Sequence, residues 1–150
     1  MSGSFEGDLI RPLGLVTLYF GYVEAEVNTL LDQLRGSGVR IEIPSTAPLG
    51  QRLAEFGTAV QGLAGSGAAE VLGLLEESKS LIDRRNALVH ASILAKGRVI
   101  PNDPAKSVFS VTPDELTALA EQAFHWKGRL KAAVQMRLLP ALRETARSGT

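Results

Sequence analysis

The sequence predicts an all-α fold, an antiparallel bundle of about four long helices. Three observations indicate this class. Apolar residues recur every three or four positions over long stretches, segments rich in glycine and proline separate those stretches, and the run Thr112-Pro113-Asp114-Glu115 has the composition of a helix start. The 150 residues match the usual length of one domain, so residues 1–150 are expected to form a single helical domain.

Composition argues against several classes of protein. With 45% hydrophobic and 21% charged residues, the chain has the balance of an ordinary globular protein. It has no cysteine and only two histidines, which are not spaced to share a metal ion, so we expect no metal and no cofactor. The first residues carry acids where a secretory signal carries basic residues, and the longest uncharged run, 56–69, is too short to span a bilayer. We therefore expect a cytoplasmic protein without membrane contact.

The first helix is predicted from a seam of apolar residues that Asp8 can cap and Gly36 can end. The seam advances in alternating steps of three and four residues: Leu13, Val16, Phe20, Val23, Val27, Leu30 and Leu34. A second apolar set widens this surface: Leu15, Leu18, Tyr19 and Tyr22. The helix therefore either lies centrally or also faces a second subunit, and we expect a homodimer.

Two more helices follow a connecting segment. Residues 36–48 are rich in glycine, proline and serine and are expected to form a loop. A second helix is predicted over about 49–63, where glycines then interrupt the pattern. The third helix is predicted over about 68–93 from its periodic apolar positions.

The last third of the chain predicts a small hairpin and a fourth helix. Two short β-like pieces, 98–100 and 107–111, flank a polar stretch with prolines and can pair with each other. The fourth helix is predicted over about 112–147, with a bend at Pro140, because proline lacks the N–H that a helix interior uses.

Positive charge is concentrated near the C-terminus. From residue 123 onward, Glu144 is the one acid against six basic residues: Lys127, Arg129, Lys131, Arg137, Arg143 and Arg147. Such a helix either faces a polyanion or presents solvated charges that complement its own dipole. If the partner is RNA, we expect contacts from Lys127, Arg129 and Lys131.

Arg85 occupies an unusual place for a charged residue. At about 100° per residue, it projects between Leu74 and Ile82 on the apolar arc of the third helix. A guanidinium there requires an acid, a partner subunit or an anionic ligand. His90 lies about 140° from Arg85 on a continuous helix, so either the helix ends near His90 or a second subunit completes a site.

The run Arg85-Asn86-Ala87-Leu88-Val89-His90 resembles the Arg-x4-His signature of HEPN domains, including the polar residue after the arginine. Phe20 and Glu24 resemble the aromatic-x3-acid pattern of some relatives. HEPN domains are helical bundles, often dimeric, and many are metal-independent endoribonucleases whose motifs meet at the dimer interface. The resemblance implies that Arg85, Asn86 and His90 are catalytic in RNA cleavage, or that the chain is a catalytically silent HEPN-like module that binds RNA or a protein.

The resemblance also implies a reaction and a class of partner. The RNA 2′-hydroxyl would attack the adjacent phosphate, with His90 as general base or acid, Arg85 stabilising phosphoryl charge and Asn86 orienting the site. HEPN toxins act with an antitoxin protein, which is therefore a further expected partner. In such toxins a tyrosine commonly follows two positions after the histidine, whereas this chain has Ser92, so regulation through that tyrosine is not expected. Glu24 is expected to have a structural role. His125 is expected to be exposed to solvent.

Overall fold

The computed structural model describes residues 2–63, 67–89, 91–93, 98–102 and 105–148. Its elements, in chain order, are α1 (Ser2–Gly36), α2 (Leu49–Gln61), α3 (Ala68–Val89), β1 (Ala91–Ile93), β2 (Arg98–Pro101), β3 (Phe109–Ser110), α4 (Pro113–Ala133), a π turn (Val134–Leu138) and α5 (Leu139–Ser148). The predicted all-α bundle class is confirmed. Over the described ranges, none of the helices combines the length and apolar character that crossing a membrane requires.

The chain divides into two compact units. The first, which we call the sheet unit, comprises Met1–Tyr22 and Ser80–Phe124. The second, the helical unit, comprises Val23–Lys79 and His125–Thr150. Each unit has buried apolar residues of its own, such as Phe20 in the sheet unit and Phe56 in the helical unit.

The predicted seam of α1 is confirmed as a buried surface. Leu13 is half-buried, and every later seam position from Val16 to Leu34 is buried. The helix ends at Gly36 as predicted, but it begins at Ser2, so the prediction that Asp8 caps its start was wrong. Helical backbone runs through Pro12, which is itself buried and cannot donate the usual hydrogen bond to the Asp8 carbonyl.

Two arginines stabilise the segment between α1 and α2. Arg35 donates from Nε to the carbonyl of Ile41 and from Nη2 to the carbonyl of Ile43, both at 2.9 Å. Arg52, near the start of α2, donates from Nε to the carbonyl of Ala47 at 2.8 Å. It also donates from Nη1 to Oδ1 of Asn28 at 2.9 Å, which connects α2 to the C-terminal part of α1. The predicted loop is thus held by side chains at both of its ends.

In the helical unit, α3 runs antiparallel to the C-terminal helices. Glu77 pairs with Arg129, and Glu70, one heptad earlier, pairs with Arg137. The indole of Trp126 is buried and donates from Nε1 to the carbonyl of Leu74 at 2.6 Å. These contacts fix the register of the two helical segments along their length.

The π turn interrupts the predicted fourth helix before Pro140. The five residues Val134–Leu138 form it, and Pro140 is the second residue of α5. Proline is tolerated there because the first residues of a new helical segment do not all donate within it. The irregularity was predicted at Pro140 itself, whereas the register of the backbone changes in the preceding turn.

The sheet unit contains a three-stranded antiparallel sheet in the order β1-β2-β3. The predicted hairpin is confirmed: Arg98 pairs with Ser110 and Val99 with Phe109. A further strand, β1, pairs Ala91 with Pro101 and was not predicted, because the third helix was expected to continue to Ile93. That helix end was wrong by four residues, since α3 ends at Val89.

The predicted start of α4 is confirmed. The backbone N–H of Glu115 donates to Oγ1 of Thr112 at 3.1 Å, and the same hydroxyl donates to Oε1 of Glu115 at 3.2 Å. Pro113 begins the helix, where its missing N–H costs nothing.

Candidate functional site

The described part of the Arg-x4-His motif lies at the end of α3, in the sheet unit. Arg85 and Asn86 are half-buried residues of its last turns. His90, the third predicted catalytic residue, lies outside the described residues. Helix α3 is described to Val89 and strand β1 begins at Ala91, so the motif spans the connection from a helix to a strand. A helix end near His90, as the first alternative requires, is therefore present, and both alternatives for completing the site stay open.

Arg85 contacts an aromatic ring of α1. Its guanidinium carbon lies 5.7 Å from the centroid of the Phe20 ring, within the range of a cation–π interaction. The Phe20 side chain is 3% exposed, so this ring is a fixed platform. The N–H groups of a guanidinium lie in its own plane, and this planar fork matches carboxylate and phosphate oxygens.

Glu24, the acid of the aromatic-x3-acid pattern, belongs to the helical unit and binds an arginine there. Its Oε1 lies 3.3 Å from Nη2 of Arg52, whose side chain is 5% exposed. Arg52 was missed in the sequence, although α2 carried a signal. Buried apolar residues Leu49, Leu53 and Phe56 define one face of α2, and Arg52, three residues after Leu49, lies on that face.

A small cavity adjoins the motif within the sheet unit. Its volume is about 160 Å³, and its walls include Leu88 of α3, Phe109 of β3 and Leu116 of α4. Two charged residues, Arg84 and Glu115, also line it. Arg84 directly precedes Arg85 and donates from Nη1 to Oε1 of Gln122 at 2.8 Å. The last turns of α3 therefore carry both the motif and a cavity wall.

Exposed apolar residues form a surface of the sheet unit, which we call the aromatic face and define as Leu18, Tyr19, Tyr22 and Phe124. Leu18, Tyr22 and Phe124 are 48%, 45% and 44% exposed. The ring centroid of Tyr19 lies 6.1 Å from that of Tyr22 and 5.4 Å from that of Phe124. Three of these four residues are the surplus apolar positions predicted on the first helix; the fourth predicted position, Leu15, is half-buried.

The predicted RNA-contacting residues lie on α4 in the helical unit. Arg129 makes a bidentate pair with Glu77, at 3.1 and 2.9 Å. Lys131 lies 3.7 Å from Glu26, and Lys127 is half-buried. Part of the positive charge predicted for this helix is therefore offset by acids of α3 and α1.

A second cavity, of about 290 Å³, lies between the two arginine–glutamate pairs of the helical unit. Arg137 donates to both carboxylate oxygens of Glu70, and this hydrogen bonding raises the pKa of Arg137 above its ordinary value. Because the pKa of Arg137 is raised in the fold, its contribution to stability is fully present at every pH below the ordinary pKa of arginine. This contribution is lost only as the pH rises through the raised pKa. The charge of Arg137 therefore does not change in the neutral range.

His125 is exposed on α4, as predicted. In the part of the chain that the structure describes, acids and histidines form no cluster of three that could hold a metal ion. Comparison with known proteins gives no match: no family model fits the chain, and no curated protein or solved structure is significantly similar.

Proposed function

We propose that the protein is a metal-independent endoribonuclease of the HEPN type, with a site that a homodimer completes. The observation that carries this proposal is the end of α3 at Val89, directly before His90. On a continuous helix His90 would diverge from Arg85 by about 140°. Because β1 already begins at Ala91, the divergence calculated for a continuous helix does not apply, which favours joint action of the two side chains on one phosphate.

The reaction assigns a role to each motif residue. The RNA 2′-hydroxyl attacks the adjacent phosphorus and loses its proton to a base, while the bond to the 5′ oxygen breaks and that oxygen takes up a proton. His90 serves in this proton transfer, because the pKa of an imidazole lies near neutrality. Arg85 stabilises charge on the phosphoryl oxygens, and Asn86 orients the phosphate. The products end in a 2′,3′-cyclic phosphate and a 5′-hydroxyl, and DNA is not a substrate because it lacks the attacking group.

A homodimer is part of the proposal because the aromatic face belongs to the same unit as Arg85. Exposed aromatic side chains are typical of the centre of protein interfaces. A twofold axis places the same patch of both subunits in contact, so two copies of the motif approach together.

The aromatic face also favours a second candidate function, a catalytically silent dimeric module that binds RNA or protein. This candidate gives Arg85 a structural role, in which its cation–π contact with Phe20 stabilises the sheet unit. It predicts no RNA cleavage under any condition.

Incubation of purified protein with mixed RNA in the presence of EDTA separates the two candidates. The nuclease is expected to cleave and to leave cyclic phosphate ends. His90→Ala should abolish cleavage while dimerisation and most RNA binding persist, because it removes proton transfer alone. His125→Ala is the matched control, since it changes the other histidine, and should cleave as the wild type does. No cleavage by the wild type, together with an Arg85→Ala variant that fails to dimerise, would contradict the nuclease proposal.

RNA affinity is assigned to the basic residues of α4. Phosphate binding by Arg129 requires it to exchange the Glu77 carboxylate for a phosphate, which lowers its net contribution. Replacement of Lys127, Arg129 and Lys131 by glutamine should weaken RNA binding and reduce the slope of log Kd against log salt by up to about three. An unchanged slope would mean that these residues are solvated surface charges that do not contact RNA.

A further inference from the structure

The cavity of the sheet unit has the size and lining of a site for a planar ring. Drug-sized ligands occupy pockets of about 300 Å³ or more, whereas this cavity measures about 160 Å³. Leu88 and Leu116 supply apolar walls, and half-buried Phe109 supplies an aromatic ring. Apolar and aromatic surfaces of this kind hold nucleobases that are splayed out of a single strand.

The two charged residues of the cavity are both held by neighbours. Arg84 is oriented by its hydrogen bond to Gln122, which uses one of the five N–H donors of a guanidinium. Glu115 is oriented by Thr112, which uses one of the acceptor positions of its carboxylate. The lining of the cavity thus includes two exposed residues, one with a donor group and one with an acceptor group.

We propose that this cavity binds a guanine base of the RNA substrate. Guanine offers O6 and N7 as paired acceptors for a guanidinium, and N1–H and N2–H₂ as paired donors for a carboxylate. Cytosine and adenine present an amino group without an adjacent ring N–H, and uracil presents no amino group. The complementary pair Arg84 and Glu115 therefore selects guanine.

The residues of this subsite are close in the chain to those of the Arg-x4-His motif. Arg84 is adjacent to Arg85, and Leu88 lies one helical turn beyond Arg84, so the guanine subsite and the phosphate site share the last turns of α3. The inference rests on the proposed ribonuclease function and deepens it: the bound guanine lies next to the phosphate that is cleaved.

Titration of the purified protein with mononucleotides, followed by amide NMR, tests the subsite without any need for cleavage. Guanosine monophosphate should bind about tenfold more tightly than cytidine monophosphate, with the largest shifts at Phe109 and Val111. Glu115→Gln should remove that preference and leave the melting temperature nearly unchanged, because glutamine also serves in a capping box. Glu121→Gln, which changes an exposed carboxylate of α4 outside the cavity lining, is the matched control and should retain it.

A second variant tests the cavity itself. Ala87 lines it, and Ala87→Phe should fill it and abolish mononucleotide binding. Equal affinity for all four mononucleotides, or a guanosine preference that survives in Glu115→Gln, would overturn the inference. A guanosine preference without RNA cleavage would support the guanine subsite and contradict the proposed nuclease function. Cleavage without a base preference would support the nuclease function and contradict the guanine subsite.

Discussion

Arg52 is the buried charged side chain among the described residues, and its partners explain how the fold tolerates it. It donates to Ala47 and Asn28 and pairs with Glu24. Arg52→Met should lower the free energy of unfolding by about 3 kcal/mol, because the carbonyl of Ala47 and the amide of Asn28 lose their donor. Urea denaturation measures the change.

Arg40 provides the matched control for Arg52. It also pairs with a glutamate, Glu42, but the two side chains are 85% and 73% exposed. Arg40→Met should change the free energy of unfolding by less than about 0.5 kcal/mol, since exposed ion pairs contribute little. Equal effects of the two substitutions would show that burial does not determine the contribution of Arg52.

Gly67 is a second residue whose identity the fold requires. Its φ is +96°, and a Cβ atom there would lie 2.8 Å from the backbone nitrogen of Leu138. Gly67→Ala should therefore destabilise the protein by about 1–3 kcal/mol through backbone strain and steric overlap. Gly128→Ala should instead stabilise it by about 0.5–1 kcal/mol, because Gly128 lies inside α4 with nothing within 4 Å of the added methyl group. Thermal unfolding of both variants checks the opposite signs.

At the scale of elements, the π turn adjusts the register of the C-terminal helices to α3. Glu70 and Glu77 are seven residues apart, whereas their partners Arg137 and Arg129 are eight apart. A π turn accommodates one additional residue in a helix without rotating the residues beyond it. The turn thus brings Arg137 level with Glu70 even though its chain spacing is one residue too long.

This geometry predicts unequal effects of two single-residue deletions. Deletion of Met136, which is 71% exposed in the π turn, should convert the turn to α-helix and keep the apolar positions of α5 in place. Deletion of Gly128 from regular α4 should rotate every later residue by about 100° and expose Leu130 and Val134. We expect the Met136 deletion to remain folded and the Gly128 deletion to unfold, as measured by far-UV circular dichroism. Similar losses of helicity would contradict the register role.

The sequence predicted the elements whose signals are local. The seam of α1 and the Thr112 capping box depend on residues within one or two turns, and both are confirmed. The end of α3 was missed because Ala91-Ser92-Ile93 continues an apolar helical pattern, although these three residues pair with strand β2, which begins shortly afterwards at Arg98. A strand of three residues is too short for its alternation to be distinguished from the end of a helical pattern.

The candidate site also contains features that local sequence signals predict and features that they do not. From the place of Arg85 on an apolar arc we expected an acid, a partner subunit or an anionic ligand, whereas the observed contact with the Phe20 ring was not among these expectations. The partners of Arg52 could not be predicted, because Asn28 lies 24 residues earlier in the chain and approaches only after the loop has folded. The cavity beside the motif likewise combines residues of α3, β3 and α4 that no spacing rule connects.

At the scale of the whole molecule, the aromatic face predicts self-association. Tyr22→Glu with Phe124→Glu should convert the proposed dimer to a monomer, because two carboxylates are costly to bury at an interface. Sedimentation velocity at micromolar concentration measures the change. Met136→Glu is the matched control, since it alters an exposed apolar residue of the helical unit, and should remain dimeric. A wild-type protein that is already monomeric would contradict the proposal that two subunits form the site.

Trp126, whose indole donates a hydrogen bond to Leu74, is an intrinsic spectroscopic probe of the molecule. Trp126 is the only tryptophan of the chain and belongs to the helical unit, while both tyrosines, Tyr19 and Tyr22, belong to the sheet unit. Tryptophan emission therefore reports the melting of one unit, and the proton NMR signals of the tyrosine rings report that of the other. Coincident curves would mean that the two units melt as one cooperative body, and separated curves would give the order in which they come apart without any added dye.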